Sequence, residues 1–456
     1  MPPLPVIIKT ENLQGPPFAS AHQIEYVSPS SLQPDNRNAR KHTSAQKRAI
    51  AKSLDEFGFN APILVDRNNT VIVGHGRLSA AILLKLAKVP IIRLDHLSEI
   101  KARAYMIADN KLTDRSSFDE TKLALELKDL TLHGADLSID AIGFEQAERD
   151  LLIQRLDESD PDAADDFEIP SKPPVTRLDD VWFLNTHRII CGTALDAWPY
   201  VALLRDGQAA VVFTDFPYNV RIQGHVRGNG KQRHGEFVMA SGELSRPEFQ
   251  EFLKVSLGHC RAYSRPGALI YGCMDWRHTQ DILAAASNND LELINVCIWV
   301  KTNGGMGSMY RSRHEEVFVF KNGQSAHINN VQLGRYGRNR TNVWNYPGAN
   351  GFARKNSDDD FESHPTVKPV RLVADAILDS THRGDIVLDP FLGSGTTILA
   401  AERTGRRGFG IELDPVHVDT AIRRWERMTG QKAVNQDGLS FEEADVRRAD
   451  GAIDAP

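Results

Sequence analysis

The sequence predicts an α/β chain: a mostly parallel sheet crossed by helices, behind a separate and smaller α+β domain. Three observations carry this. Residues 385–414 read as strand, glycine turn, helix and second strand, with Ile386-Val387-Leu388 in the first strand and Glu412 closing the second. A short unbroken apolar run suits a strand buried on both faces, and a helix joining two of them makes them parallel. Residues 209–214, Ala-Ala-Val-Val-Phe-Thr, form another such run. Residues 157–168 hold seven acidic side chains in twelve and no basic one, and Pro170, Pro173 and Pro174 follow. Like charges and prolines resist compact structure, so 157–176 reads as a linker.

The elements follow in chain order. Residues 1–20 are proline-rich and lack a basic-then-apolar leader pattern, so they read as a loose tail. Residues 45–57 carry a helix. Pro62–Asp66 and Thr70–Val73 flank Asn68-Asn69 as the strands of a hairpin. Gly74-His75-Gly76-Arg77 then opens a helix over 78–88, and helices over 104–112 and 123–132 complete a domain over 21–156. Glycines at a helix start can present backbone N–H groups to an anion, with Arg77 adding charge. The second domain is expected over 177–429. Residues 430–456 lose hydrophobic periodicity and read as a tail.

Composition bounds the function. The chain has 456 residues, 41% apolar and 25% charged, with a net charge of −6, as in ordinary water-soluble proteins. No apolar run is long enough to span a membrane, so no membrane partner is expected. Four scattered cysteines (Cys191, Cys260, Cys273, Cys297) without a C-x-x-C pair argue against a metal site or a disulfide framework, and make the cytoplasm the default compartment. The charge excludes a uniformly basic DNA-coating protein, yet residues 301–356 hold nine Lys/Arg against two Glu and no Asp.

The turn at 389–396 reads Asp389-Pro390-Phe391-Leu-Gly393-Ser394-Gly395-Thr396. It has neither the third glycine of a dinucleotide fingerprint nor the lysine of a phosphate-binding P-loop. Glu412, at the end of the next strand, is placed to accept both hydroxyls of a ribose. The segment resembles the F-x-G-x-G loop of S-adenosyl-L-methionine-dependent methyltransferases, whose fold is Rossmann-like. Asp215-Phe216-Pro217-Tyr218, directly after the strand over 209–214, resembles the D-P-P-Y tetrapeptide of amino-methyltransferases. His364-Pro-Thr366-Val-Lys368-Pro369 resembles the H-P-T-x-K-P segment of the same family, and Trp182–Thr193, Asp275–His278, Trp299–Gly305 and Tyr310–Glu315 also fit it. The tetrapeptide precedes the glycine loop, which is the circularly permuted motif order of the β class of DNA amino-methyltransferases.

The resemblance implies roles. Asp215 and the main-chain carbonyl of Phe216 would accept the two hydrogens of an exocyclic amine, freeing its lone pair for a sulfonium methyl. Tyr218 would stack on a base taken out of the duplex. Thr366 and Lys368 would wrap the methionine end of the cofactor, Lys368 facing its carboxylate. Thr193 stands where relatives often carry an aspartate that touches the cofactor adenine, and Phe216 stands where they usually have proline. Asp rather than Ser at the head of the tetrapeptide leans toward adenine N6, with cytosine N4 as the alternative.

The basic stretch between the motifs interleaves aromatics and asparagines with Lys301, Arg311, Arg313, Arg335, Arg338 and Arg340. That mixture suits phosphate contacts and base-edge readout on double-stranded DNA, and the β class keeps its target recognition region here, over about 301–363. Residues 219–241 read either as a loop closing over base and cofactor or as a surface loop. The front domain resembles the N-terminal domain of ParB partition proteins, of the ParB/sulfiredoxin superfamily, through Asn38–Thr43 and Gly74–Arg77. Its middle residues, His75-Gly76, differ from the usual Glu-Arg, which leaves both a nucleotide site and a plain DNA- or protein-binding module open. A homodimer is an arrangement open to the chain. A DNA-binding regulator with an idle methyltransferase domain competes with the enzyme reading.

Overall fold

A computed structural model gives the architecture; it describes residues 23–115, 117–133, 139–156, 162–167, 169, 173–219, 242–301, 309–333, 340–347 and 367–449. The chain divides into two compact units, Met1–Asp157 and Glu158–Pro456.

The first unit contains β1 (Ile24–Val27), β2 (Gln33–Pro34), α1 (Ser44–Phe57), β3 (Ile63–Val65), β4 (Thr70–Val73), α2 (His75–Leu83), β5 (Val89–Arg93), α3 (Glu99–Thr113), α4 (Glu120–His133) and α5 (Gln146–Leu156). Its sheet runs β1-β5-β3-β4-β2. β3 and β4 form the expected antiparallel hairpin. Asp66 fixes the turn by accepting the Asn68 and Thr70 N–H groups, and Asn69 takes φ +63°. Ile63, Val65, Val71, Leu78, Val89 and Ile91 form the core. α2 starts and ends earlier than the expected 78–88. Gly74, in the left-handed region, is its cap, and Lys85 at φ +56° turns the chain toward β5. The helix expected over 104–112 extends back to Glu99, because the Ser98 side chain accepts the Lys101 N–H as an N-cap.

The second unit contains β6 (Val181–Leu184), β7 (His187–Cys191), α6 (Ala197–Leu204), β8 (Ala209–Asp215), α7 (Arg246–Ala262), β9 (Ser264–Met274), α8 (Thr279–Asn288), β10 (Leu291–Val300), β11 (His314–Asn322), β12 (Val343–Asn345), α9 (Val370–Ser380), β13 (Ile386–Asp389), α10 (Thr396–Thr404), β14 (Arg407–Glu412), α11 (Pro415–Thr429), β15 (Val434–Asn435) and α12 (Phe441–Ala449). Among the described residues its sheet runs β12-β10-β11-β9-β8-β13-β14-β7-β6-β15. The stretch β9-β8-β13-β14-β7 is parallel throughout. Helices cover both faces. Leu203, Phe249, Leu253 and Ile282 from α6, α7 and α8 fill one side, and Val373, Ile398, Val418 and Trp425 from α9, α10 and α11 fill the other. This is the doubly wound, Rossmann-like α/β fold expected of the second domain.

Two stretches differ from expectation. Residues 430–449 are not a tail: β15 pairs with β6, and Phe441 of α12 is buried against Trp182 with ring centroids 5.4 Å apart. Among the described side chains of this stretch three apolar ones are buried (Ala433, Phe441, Ala444), too few to give a visible period. The second half of the acidic stretch is not a free spacer either. Asp162 takes a two-pronged ion pair from Arg403, at 2.6 and 2.9 Å, and Asp165 accepts the Val370 N–H. Arg403 of α10 thus matches the Asp162 charge, and Arg424 of α11 donates to the Ala164 carbonyl.

Candidate active site

In a doubly wound sheet, ligands bind at the carboxyl ends of the strands where the winding reverses. Here the reversal lies between the adjacent parallel strands β8, which leads on to β9, and β13, which leads on to β14. β8 ends in Asp215 and β13 in Asp389, so the fold brings the two expected motifs together.

The glycine loop is built from its own side chains. Asp389 accepts the Phe391 N–H (3.1 Å) and the Thr397 hydroxyl (2.6 Å), which closes the turn. Burial pushes the Asp389 carboxyl up to about 7. Gly393 (φ +53°) donates its N–H to Glu412 Oε2 at 2.7 Å, and Asp414 N–H binds Glu412 Oε1 at 2.8 Å. A Cβ at Gly393 would meet open space, whereas one at Gly395 would lie 2.5 Å from the Ala421 Cβ. The first glycine thus leaves room on the loop's open side, and the second lets α11 pack closely. Ser394 and Thr396 face away from that space. Both accept from the buried Arg424 guanidinium, which also binds the Ser394 and Ala164 carbonyls. Thr193 follows β7, and the preceding Gly192 donates its N–H to the Glu412 carbonyl (2.8 Å). Pro390 is buried and Phe391 packs against Phe216 and Phe252.

Across the reversal point lies a cluster of charge. The Tyr218 hydroxyl is 2.7 Å from Asp215 Oδ1 and 3.1 Å from Glu315 Oε2. Lys368 Nζ lies 2.6 Å from Asp215 Oδ2, 2.8 Å from Glu315 Oε2 and 3.1 Å from the Tyr218 oxygen. Lys301 pairs with the other oxygen of Glu315. Trp299, buried, forms the wall beneath both ammonium groups, at 4.8 Å from Lys301 and 5.6 Å from Lys368. Desolvation pushes the Asp215 carboxyl up, and Lys368 opposes that rise. Glu315 is desolvated too, but the two lysines dominate and hold it down to about 2. Phe216 is 1% exposed. Pro217 is partly buried beside it.

Several expected placements change. Lys368 is not open to a cofactor carboxylate, because its three N–H groups already have three oxygens. Arg340 is not a free DNA contact: its guanidinium lies between Asp375 (3.1 Å) and Asp379 (2.6 Å), over the Trp344 ring. Arg77 turns inward and donates to the Ala61 carbonyl at 2.7 Å. Arg311 and Arg313 are exposed. Thr366, Arg335, Arg338 and residues 220–241 lie outside the described residues. Sequence reasoning gave no role to Glu315, Trp299 or Arg424. The first two stood inside quoted motif matches, where a glutamate opening an apolar strand was the available signal; Arg424 had none. Among the described residues no group of His, Cys, Asp and Glu could hold a metal, and no helix is long and apolar enough to cross a membrane.

A glycine turn beside a strand-end carboxylate, facing an acidic tetrapeptide across the reversal point, defines the class of Rossmann-like methyltransferases. Comparison with known proteins agrees. A DNA methylase family model matches residues 209–423, a ParB-methyltransferase HTH domain matches 121–178, and a ParB N-terminal domain matches 16–111. The chain thus carries an N6/N4-type DNA methylase domain behind a ParB N-terminal domain and a ParB-methyltransferase HTH domain. Type II methyltransferase M.HpaI of Haemophilus parainfluenzae is 28% identical over 52% of this chain and 73% of its own. Type II methyltransferase M.HinfI of Haemophilus influenzae is 28% identical over 53% and 68%. Among solved structures, the putative DNA modification methylase TTHA0409 from Thermus thermophilus, complexed with S-adenosyl-L-methionine, is 21% identical over 56% of this chain and 96% of its own, with a TM-score of 0.39. The HTH match, over 121–178, takes in nearly all of α4 and the whole of α5, which pack together; the sequence reading had a helix over 123–132 completing the first domain and assigned none to 146–156.

Proposed function

We propose that this protein transfers a methyl group from S-adenosylmethionine to the exocyclic N6 amine of adenine in double-stranded DNA, at a defined site, with the target base turned out of the helix. The observation that carries this reading is Asp215, an acceptor carboxylate at the carboxyl end of β8, next to the Phe216 carbonyl and across the reversal point from the glycine loop.

The residues fit the cofactor. Gly393 leaves open space where a ligand can approach the backbone. Each Glu412 oxygen accepts one backbone N–H in this structure and keeps a lone pair for a ribose hydroxyl. Thr193, at the neighbouring strand end, adds a hydroxyl, and Phe391 a ring edge. When bound, S-adenosylmethionine supplies an electrophilic methyl on a sulfonium. Asp215 and the Phe216 carbonyl hold the two amine hydrogens and turn the nitrogen lone pair out of conjugation with the ring. Tyr218 presents its face to the base. Water is kept out by Trp299, Phe216 and Phe391. The remaining acceleration comes from holding amine and methyl in line. We assign target recognition to 301–363, with Lys301, Arg311 and Arg313 as described members, and additional DNA contact to the helices over 120–156.

The test is to methylate plasmid DNA with the purified full chain, digest it and identify the modified nucleoside. N6-methyladenine is expected. Only N4-methylcytosine would replace the adenine assignment, since that amine offers the same two hydrogens. No labelled methyl in DNA despite tight binding would instead support a DNA-binding regulator with an idle domain.

A further inference from the structure

We infer that Lys368 is a positioning residue that keeps Asp215 an ionised acceptor, and that Glu315 fixes Lys368 in that place. This rests on the reading of Asp215 as the amine acceptor.

The geometry assigns every proton of the ammonium. Its three N–H groups meet Asp215 Oδ2 at 2.6 Å, Glu315 Oε2 at 2.8 Å and the Tyr218 oxygen at 3.1 Å, which exhausts its donors. The Tyr218 hydroxyl can then give its single proton to Asp215 Oδ1, 2.7 Å away. The second oxygen of Glu315 is taken by Lys301. The cluster holds two carboxylates and two ammonium groups, so its charge balances. Side-chain exposure is 4% for Lys368 and 8% for Glu315, and such buried charges persist only when paired. The groups facing Asp215 are Lys368 ahead of α9, Glu315 on β11, Tyr218 after β8, Cys273 on β9 and Asp389 at the end of β13. Lys368 is the only cation among these described groups.

Chemistry gives the arrangement its purpose. An amine offers two N–H donors. A protonated Asp215 would meet one of them with an O–H, donor against donor. Two carboxylates bridged at one nitrogen would share a proton if the cation between them were removed. Lys368 therefore decides whether Asp215 accepts or donates at neutral pH. Glu315, held ionised by Lys301, keeps the ammonium from swinging away. Asp215 retains unused lone pairs beside the Tyr218 and Lys368 contacts, so the amine can bind without displacing the lysine.

The test is the pH profile of kcat/KM for transfer of labelled methyl to DNA by the full chain; that ratio reports the free enzyme's titrating groups. Lys368→Met should move the acid limb up by at least about one pH unit, so that activity lost at neutral pH partly returns at high pH. Lys368→Arg should keep the limb near its original position. Glu315→Gln keeps an amide oxygen that can still accept from Lys368, so the ammonium stays beside Asp215 while one negative neighbour is lost, and the limb should move down. Opposite shifts from the two neutralising variants are the signature that a merely structural role would not produce. An unmoved limb in Lys368→Met, with only the KM for S-adenosylmethionine raised, would return the lysine to the cofactor and overturn the inference while leaving the functional reading intact. If Lys368→Met does not fold, as judged by circular dichroism, Lys368→Gln takes its place: an upward shift of the limb supports the inference and an unmoved limb overturns it. Wild-type protein that transfers no methyl to any DNA would overturn the functional reading first.

Discussion

Phe216 shows how one side chain can be replaced inside a reacting motif without moving the groups that matter. Its role in the proposed chemistry belongs to its carbonyl, so the ring is free to serve packing. The ring lies 5.5 Å from that of Phe391, and a Cβ at Gly272 would come within 2.9 Å of it. A glycine on β9 and a phenylalanine after β8 therefore share one space. Phe216→Ala should cost about 3–5 kcal/mol, read by urea unfolding. Gly272→Ala should destabilise the wild type and cost less in the Phe216→Ala background, because neighbours that share a cavity are not additive; equal costs in both backgrounds would separate the two residues. Asp215 carries a different burden. Asp215→Ala should lower methyl transfer by at least about 100-fold, the scale seen when one preorganised polar contact to a reacting centre is removed. DNA binding should stay intact. Equal methyl incorporation by both proteins would overturn the assignment.

Among elements, the glycine loop is the most legible in the sequence, and its support the least. Gly393, Gly395, Asp389 and Glu412 lie within a short stretch of chain, and local spacing reveals such a turn. Arg424 reaches the loop from α11, 30 residues beyond Ser394, and Glu315 reaches Tyr218 across 97 residues. No period or motif encodes contacts that only the closed sheet creates. The tail expected after 430 failed for a related reason: β15 is two residues long and borrows its order from β6. Gly395→Ala should destabilise the second unit strongly, since the residue has φ +88° and its Cβ would lie 2.5 Å from Ala421. The loop also imposes a pH dependence. Asp389 ionises near 7 in the fold against an ordinary 3.8. Its raised value means the fold binds a proton that the unfolded chain has released. The contribution is therefore present below about 4 and is lost as pH rises through about 7. Over that window the melting temperature of the wild type should fall relative to Asp389→Asn; parallel curves would place the titration elsewhere.

For the molecule as a whole, a net charge of −6 has to coexist with a polyanionic substrate. The second unit sets a small group of its cations at one end of its sheet. β8 and β9 run side by side to Asp215 and Met274, β11 enters beside Met274 from His314, and β10 leaves beside His314 toward Lys301. Register alone thus gathers Asp215, Arg277, Lys301, Arg311 and Arg313 at the same edge. Trp276 joins them, 50% exposed with the Arg277 guanidinium over its ring at 5.1 Å. The sequence displayed Lys301, Arg311 and Arg313 in a basic aromatic stretch and Trp276 and Arg277 in a separate motif match, but pairing of the strands is what brings them to one edge. Arg340 belongs to the same stretch and is drawn inside by Asp375 and Asp379, so local charge overstates the surface available to DNA. Phosphate contacts release counterions, and each one lost lowers the slope of log K against log salt by about one. Arg311→Ala with Arg313→Ala should therefore flatten that slope by about two and weaken binding alike on target and unrelated duplexes. Arg340→Ala should leave the slope unchanged and lower stability instead. Fluorescence anisotropy over a salt series separates these outcomes, and a steeper loss from Arg340→Ala than from the double variant would reverse the assignment of the DNA face.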